Sequence, residues 1–181
     1  MEIKCGKIKL RALEPEDMEA LRQTVNDADM ERMVVGWSFP VSKQQQMDWY
    51  NRSMGNPQHQ RFAIEYEGKF VGLSTLTDID WKNRIAFHGI KLVSNAPKGK
   101  GIGYDAVCGT MQYAFEELQL NRLEGGILTY NIPSKKLYEK CGWKEEGLYR
   151  EKVFKNNQYY DEIPVAILRS DYFEWKDKNN K

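Results

Sequence analysis

The chain has 181 residues, of which 41% are hydrophobic and 29% charged, and its formal net charge at pH 7 is +1. This length predicts one domain with a buried core, and the balanced charge argues against nucleic-acid binding by bulk electrostatics. No apolar run approaches the roughly 18 residues of a membrane span, and the N-terminus lacks an apolar signal core. We therefore expect neither nucleic acid nor a membrane as a partner.

The cysteines indicate the redox compartment. Cys5, Cys108 and Cys141 have no neighbouring His or Cys at metal-ligand spacing. An odd number of cysteines at such spacing is typical of a reducing compartment. The sequence therefore predicts a cytoplasmic protein without a bound metal.

The N-terminal part of the chain predicts one strand and two helices. Residues 8–13 alternate apolar and polar side chains, which is typical of a half-buried strand. Pro15, followed by acidic residues, begins a helix that ends near Val25. Ser42 and Gln45 form a capping-box pattern at the beginning of the second helix.

The segment 33–40 between these helices is rich in apolar and aromatic residues. The whole segment is a candidate wall of a substrate pocket, and its part from Trp37 to Pro40, together with Trp49 and Tyr50 of the second helix, is suited to stacking on a sugar or a base. The alternative is that these side chains pack beneath the helices.

The remaining pattern predicts strands interleaved with two helices. Helix periodicity covers residues 102–118 and Pro133 to Cys141, and strand patterns cover 61–66, 70–79, 85–93, 123–130 and two segments flanking Asn156 and Asn157. This order predicts an α/β (α+β) fold with a mixed sheet and helices on both faces. We expect a single domain over residues 1–175 and a frayed tail over residues 176–181.

The segment Lys98-Gly-Lys-Gly-Ile-Gly103 lies between a predicted strand and a predicted helix. Its three glycines allow the backbone to approach a ligand closely. The helix start presents unpaired N–H groups with positive dipole character, and the two lysines add positive charge. These features predict a pyrophosphate-binding turn.

Three other interpretations of this segment compete with a coenzyme-type pyrophosphate turn. A nucleoside-triphosphate P-loop requires Ser or Thr after its Gly-Lys, whereas Tyr104 and Asp105 follow the last glycine. Gly101 to Ala106 fits the loose dinucleotide pattern G-x-G-x-x-A, but Ser94 to Lys98 separates it from the strand. A glycine-rich solvent loop is the third interpretation.

Two motifs in order resemble the GCN5-related N-acetyltransferase (GNAT) superfamily. Residues 98–103 are similar to its acetyl-coenzyme-A pyrophosphate loop, Arg/Gln-x-x-Gly-x-Gly/Ala, with Lys98 in place of Arg or Gln. Residues 131–143 are similar to its segment N-x-x-[AS]-x-x-[LF]-Y-x-x-x-G-F. The resemblance extends over roughly residues 3–173 and is greatest to the branch of ribosomal-protein N-terminal, spermidine and nucleotide-amino-sugar acetyltransferases.

The resemblance implies a mixed, mostly antiparallel sheet of about seven strands, splayed between strands four and five. It also implies that acetyl-coenzyme A is the co-substrate, with its acetyl-pantetheine arm in the gap. The residues implied to bind it are Ile90, Lys91 and Leu92 on the strand before the loop, Lys98, Gly99, Lys100, Gly101, Ile102 and Gly103 in the loop, and Asn131 and Ser134 after it.

The resemblance places Tyr138 where family members have the tyrosine that protonates the coenzyme A thiolate. The residue that deprotonates the amine stays open. His88 precedes the glycine loop and titrates in a useful range, whereas Asp78 and Glu65 lie on earlier strands. Deprotonation through water is the remaining route.

These features predict an acetyl-coenzyme-A-dependent N-acetyltransferase that acts on a primary amine. A small amine, such as an amino-sugar nucleotide or a polyamine, is slightly favoured over a protein N-terminus. A non-catalytic acyl-coenzyme-A sensor is a further alternative, against which the intact Tyr138 and Asn131 argue. A homodimer is compatible with this sequence.

Overall fold

Nine strands and six helices make up residues 2–36 and 39–179, the part of the chain that a computed structural model describes. A 3-10 turn, Pro15–Asp17, precedes the first helix, and a π-helical turn, Tyr113–Glu117, follows the fourth. The helices are α1 (Met18–Val25), α2 (Ala28–Arg32), α3 (Lys43–Ser53), α4 (Ile102–Gln112), α5 (Ile132–Lys140) and α6 (Arg169–Asn179). The strands are β1 (Ile3–Cys5), β2 (Ile8–Arg11), β3 (Gln60–Tyr66), β4 (Lys69–Asp80), β5 (Ile85–Leu92), β6 (Arg122–Leu128), β7 (Lys144–Glu145), β8 (Tyr149–Lys155) and β9 (Gln158–Leu168).

The strands form one mixed sheet in the order β1-β2-β3-β4-β5-β6-β9-β7, and β8 also pairs with β9. Every pair is antiparallel except β5 with β6. The predicted mixed, mostly antiparallel sheet is therefore confirmed, but the predicted number of strands is too low. The two additional strands, β1 and β7, have three and two residues, too few to show an alternating pattern.

The sheet is splayed in its centre. β5 and β6 pair only where Ile85–Phe87 meets Arg122–Glu124. Beyond that point β5 remains paired with β4, and β6 remains paired with β9. Counted from the strand at Ile8, this is the gap between strands four and five that the family resemblance implied.

Helices cover both faces of the sheet. α4 packs on one face and contributes the fully buried Met111 to the main core. α1 and α3 pack together, and their smaller core cluster includes Met18, Trp49 and Tyr50. Trp49 and Tyr50 are therefore partly buried against a core cluster. Trp37 and Ser38 of the same prediction lie outside the described residues.

The sequence patterns did not predict α2 and α6. Asp27 caps α2 by accepting hydrogen bonds from the backbone N–H groups of the next turn. α6 continues to Asn179, and Lys176 pairs with Glu116 at 2.5 Å, so the tail expected to fray from residue 176 begins inside a helix. No helix in the described part of the chain is long and apolar enough to cross a membrane.

Candidate active site

The glycine loop forms the start of α4. Gly99 and Gly101 have φ angles of 70° and 82°, in the left-handed region that glycine adopts without strain. The Gly101 carbonyl accepts the hydrogen bond of Asp105 N–H at 2.9 Å. The N–H groups of residues 102–104 therefore precede this hydrogen bond at the helix start. With Lys98 and Lys100 exposed beside them, these groups form an arrangement suited to a pyrophosphate.

We expect Gly101→Ala to weaken coenzyme A binding by tenfold or more, about 1.4 kcal/mol. No atom lies within 4 Å of the position that the added Cβ would take, so the methyl group would project into space that a ligand needs. Gly68→Ala is the matched control, because Gly68 has a φ of 73° and equally open surroundings in the turn between β3 and β4. Calorimetry with coenzyme A should show weaker binding only for Gly101→Ala, and equal losses in both variants would contradict a role in binding.

A cleft of about 550 Å³ opens where the pairing of β5 with β6 ends. Several predicted site residues line it, namely His88, Ile90, Lys91, Leu92, Gly103, Asn131, Ser134 and Tyr138. Residues 33–36 after α2, which belong to the segment predicted as a candidate pocket wall, also line it. Thr75 of β4 and Gly126 of β6 are lining residues that the sequence patterns did not predict. Gly126 carried a usable signal, since a glycine inside a strand often marks a close approach by another group.

The register of β5 determines which backbone groups face this cleft. Val93 N–H donates to Val71 C=O at 3.0 Å. In an antiparallel pair every second residue directs its backbone N–H and C=O groups at the partner strand, so alternate residues of β5 direct these groups at β4. The backbone N–H and C=O groups of Lys91 point toward β4, like those of Val93, whereas the backbone groups of Ile90 and Leu92 point outward, away from β4. The free N–H and C=O groups on the cleft side of the predicted segment therefore belong to Ile90 and Leu92.

The Lys91 side chain lies on the other face of the sheet from His88 and Ile90, since side chains alternate along a strand. Burial lowers the pKa of Lys91 below its ordinary value, and the nearby Lys155 lowers it further, while the carboxylate of Glu31 acts in the opposite direction. Lys91, Lys155 and the Glu31 carboxylate therefore bring both positive and negative charge to this face of the cleft.

Asn131 begins α5 and fastens it to the segment after α2. Its Oδ1 accepts a hydrogen bond from Ser134 N–H at 3.1 Å, and its Nδ2 donates to Met33 C=O at 2.6 Å. The hydroxyl of Tyr130 donates to Arg32 C=O beside it. Asn131 therefore positions both α5 and residues 33–36, in addition to the cofactor contact that the resemblance implies.

Tyr138 is a buried residue that lines the cleft and contacts His88. Its hydroxyl is 2.9 Å from His88 Nδ1, and the Tyr138 ring packs edge-to-face against Trp143 with centroids 4.8 Å apart. Burial raises the pKa of Tyr138 above its ordinary value, and Cys141 raises it further. The hydroxyl therefore keeps its proton at neutral pH, as an acid requires.

His88 is a poor general base, contrary to the expectation that it titrates in a useful range. Its side chain is only 1% exposed, and burial lowers its pKa to about 3. A base with this pKa has little affinity for the proton of an amine. The sequence showed that His88 alternates with Ile90, but it did not show that Tyr138, Ser74 and Trp143 enclose the ring.

The buried His88 predicts a loss of stability in mild acid. Its pKa is about 6.5 in the unfolded chain and about 3 in the folded one, so only the unfolded state gains this proton as the pH falls from 6.5. The contribution of the neutral His88 to the free energy of unfolding is therefore retained above pH 6.5 and lost progressively as the pH falls to 3. Urea denaturation at pH 7 and pH 5 should show about 2 kcal/mol more loss in the wild type than in His88→Gln. Equal losses would contradict this assignment.

Asp78 and Glu65 are not among the described residues that line the cleft. Asp78 is exposed at an irregularity of β4, and its backbone N–H donates to His59 Nδ1 at 3.3 Å. Glu65 pairs with Arg11 at 2.7 Å and with Lys9 at 3.0 Å. Neither carboxylate is therefore positioned as the base. Within the described ranges, no group of three or more His, Cys, Asp or Glu residues could hold a metal ion.

The sequence profile of the acetyltransferase (GNAT) domain matches residues 7–144 of this chain. This chain belongs to the GNAT acetyltransferase family. The predicted family and the predicted mixed α/β fold with a splayed sheet are thus confirmed.

The similarity to other acetyltransferases extends over almost the whole chain. The spermidine N(1)-acetyltransferase of Escherichia coli K12 is 29% identical over 165 residues, covering 91% of this chain and 88% of that protein. The SPbeta prophage-derived N-acetyltransferase YokL of Bacillus subtilis is 27% identical and covers 91% and 92% of the two chains. The crystal structure of spermidine N-acetyltransferase from Vibrio cholerae in complex with CoA and spermine superposes with a TM-score of 0.87 at 27% identity, covering 92% of this chain and 98% of the other.

Proposed function

We propose that this GNAT protein transfers the acetyl group of acetyl-coenzyme A to a small cationic amine of the polyamine class. The observation that carries the proposal is the cleft at the splay, where the free backbone edge of β5 and the buried Tyr138 hydroxyl line one volume. Acetyl transfer to an amine needs both a polarised carbonyl and a proton for the departing thiolate.

The residues around the cleft fit acetyl-coenzyme A. The loop residues Gly99 and Gly101 have open space at their Cβ positions, and the helix start that follows them suits a pyrophosphate. The outward backbone groups of Ile90 and Leu92 are free to pair with the amides of an extended arm, as in strand addition to a sheet edge. When bound, acetyl-coenzyme A supplies the acetyl group as a thioester.

Individual side chains and backbone groups then have separate tasks. The outward N–H groups of this strand include a donor for the oxygen that becomes negative during acetyl transfer. Tyr138 holds a proton at its hydroxyl oxygen for the thiolate. The amine loses its proton to water in the open cleft, since the ionisable side chains among the described lining residues are His88, Lys91 and Tyr138.

A buried carboxylate, that of Glu162, lies next to the cleft, beside its lining residue Gly126. Glu162 is 3% exposed, and its Oε1 accepts a hydrogen bond from Lys152 Nζ at 3.0 Å, while its Oε2 has no hydrogen-bond partner among the described residues. Its carboxyl group lies directly over Gly126, where an added Cβ would be 2.6 Å from Oε1. Glu162 also lines a second cavity of about 230 Å³, which shares Val35 and Gly36 with the cleft.

This carboxylate favours a substrate with a second amine. A carboxylate stabilises the charged form of an ammonium group, whereas the reacting amine must be neutral. Glu162 therefore suits a non-reacting ammonium on the same molecule. The spermidine acetyltransferases among the relatives support this class over a protein N-terminus and over an amino-sugar nucleotide.

We expect release of free thiol from acetyl-coenzyme A with spermidine in a panel that also contains monoamines, amino-sugar nucleotides and N-terminal peptides. Glu162→Gln should raise the KM for spermidine about tenfold or more and leave the KM for a monoamine unchanged. Glu151→Gln is the matched control, because Glu151 is an exposed residue of the same hairpin. Turnover only with peptides would contradict the proposed substrate class.

We also propose a cytoplasmic location for the enzyme. Cys5, Cys108 and Cys141 are free thiols in the structure, and such cysteines persist in reducing compartments. Fractionation of cells that express the protein at its natural level tests this location.

A further inference from the structure

A chain of buried hydrogen bonds leads from Tyr138 to the backbone of α4. His88 Nδ1 is 2.9 Å from the Tyr138 hydroxyl, and His88 Nε2 is 3.4 Å from Ser74 Oγ. Ser74 Oγ is 2.7 Å from Thr110 Oγ1, and Thr110 Oγ1 donates to Ala106 C=O at 2.8 Å. Ser74 and Thr110 are completely buried, so each link must be satisfied within the protein.

The carbonyl at the end fixes the direction of every bond in this chain. A carbonyl oxygen only accepts, so the Thr110 proton points to Ala106 and the Thr110 oxygen must accept from Ser74. The Ser74 oxygen then accepts from His88 Nε2–H. A neutral imidazole carries one proton, so Nδ1 is the bare nitrogen and accepts from the Tyr138 hydroxyl.

We propose that Thr110 is a positioning residue that sets which partner donates in the hydrogen bond between Tyr138 and His88. Thr110 lies on α4 and reaches Tyr138 only through Ser74 and His88. In this direction the Tyr138 proton points away from the cleft and its lone pairs point into the cleft. The hydroxyl must turn away from His88 before it protonates a thiolate.

The same direction controls the acidity of Tyr138. An ionised Tyr138 oxygen would face the lone pair of His88 Nδ1, which disfavours ionisation. The reverse direction would place an Nδ1–H donor against that oxygen and stabilise its charge. Cys141, the ionisable residue that also acts on Tyr138, has its pKa raised by hydrogen bonding to Cys108 and by burial, so it remains a neutral thiol.

Thr110→Val and Thr110→Ser test this assignment as a matched pair. Valine keeps the shape but leaves the Ser74 proton free to donate to His88 Nε2, which reverses the chain and moves the histidine proton to Nδ1. Serine retains the hydroxyl and should keep the wild-type direction. The protein contains two histidines, so a long-range ¹H–¹⁵N spectrum of histidine-labelled protein resolves the tautomer of His88.

We expect Nε2–H at His88 in the wild type and in Thr110→Ser, and Nδ1–H in Thr110→Val. An Nδ1–H wild type, or a Thr110→Val spectrum that keeps Nε2–H, would overturn the proposal. If Thr110→Val does not fold, Ser74→Ala replaces it, because this change removes the acceptor of Nε2–H and should abolish the preference for that tautomer.

A kinetic readout depends on the proposed acetyltransferase activity, whereas the spectrum does not. The alkaline limb of kcat/KM should shift to lower pH by about one unit or more in Thr110→Val and stay in place in Thr110→Ser. Identical limbs in these two variants would contradict the control of Tyr138 acidity by Thr110. Absence of turnover in the wild type would contradict the proposed function and leave the spectroscopic result to decide this inference.

Discussion

Replacing Tyr138 with phenylalanine should lower turnover about 10²–10⁴-fold, the usual loss when a general acid is removed. The affinity for coenzyme A should stay nearly unchanged, because the pyrophosphate turn lies at the start of α4 and the hydroxyl lies on α5. Thiol release under saturating substrates measures the first quantity, and calorimetry with coenzyme A measures the second. A fall in kcat without a change in coenzyme A affinity is the signature of a group that acts in the reaction itself.

The same substitution should also destabilise the fold, because Tyr138 is the hydrogen-bond partner of a buried histidine. Without the hydroxyl, His88 Nδ1 has no donor, and an unsatisfied buried acceptor costs about 1–3 kcal/mol. Tyr159→Phe is the control, since the Tyr159 side chain is 61% exposed. Rates must therefore be compared at a temperature where both variants remain folded. Near-normal turnover of folded Tyr138→Phe would mean that another group or water supplies the proton.

Much of the fold was predictable because its signals are local. The alternation over residues 70–79 and the helical periodicity of residues 102–118 identify elements by their buried faces. The capping box of Ser42 and Gln45 was also correct, with hydrogen bonds in both directions. The splay depended on the resemblance to a family, because it is set by where pairing between β5 and β6 ends, a contact between distant segments.

The site was only partly predictable, for a physical reason. The glycine loop and Tyr138 carry their signals in their own segments, whereas the state of His88 depends on residues from β4, α4 and α5. Burial turned a histidine expected to titrate near neutral pH into one with a pKa of about 3. The position of Asp78 likewise depends on an irregularity in the pairing of β4 with β5.

A second substitution with a large expected effect is Lys155→Met, which should lower stability by about 3 kcal/mol. Lys155 is 6% exposed, and its Nζ donates to the carboxylate of Glu31, to Glu31 C=O at 3.0 Å and to Gly36 C=O at 3.0 Å. Methionine fills a similar volume but leaves the carboxylate and both carbonyls without this donor. The expected loss is at the lower end for a broken buried pair, because the Glu31 side chain retains 22% exposure to water.

This loss should extend to substrate binding, because Lys155 anchors residues 33–36, which line the cleft. The KM for spermidine should therefore rise, while coenzyme A still binds at the start of α4, where none of the described hydrogen-bond partners of Lys155 lies. Lys176→Met is a control with a partly exposed partner, Glu116, and should cost at most about 1 kcal/mol. The double variant Lys155→Met/Glu31→Gln also removes the Glu31 carboxylate, which has lost its partner in Lys155→Met. Urea denaturation should therefore show that part of the lost stability is restored. If the double variant is no more stable than Lys155→Met, the loss comes from the two carbonyls rather than from the unpaired carboxylate.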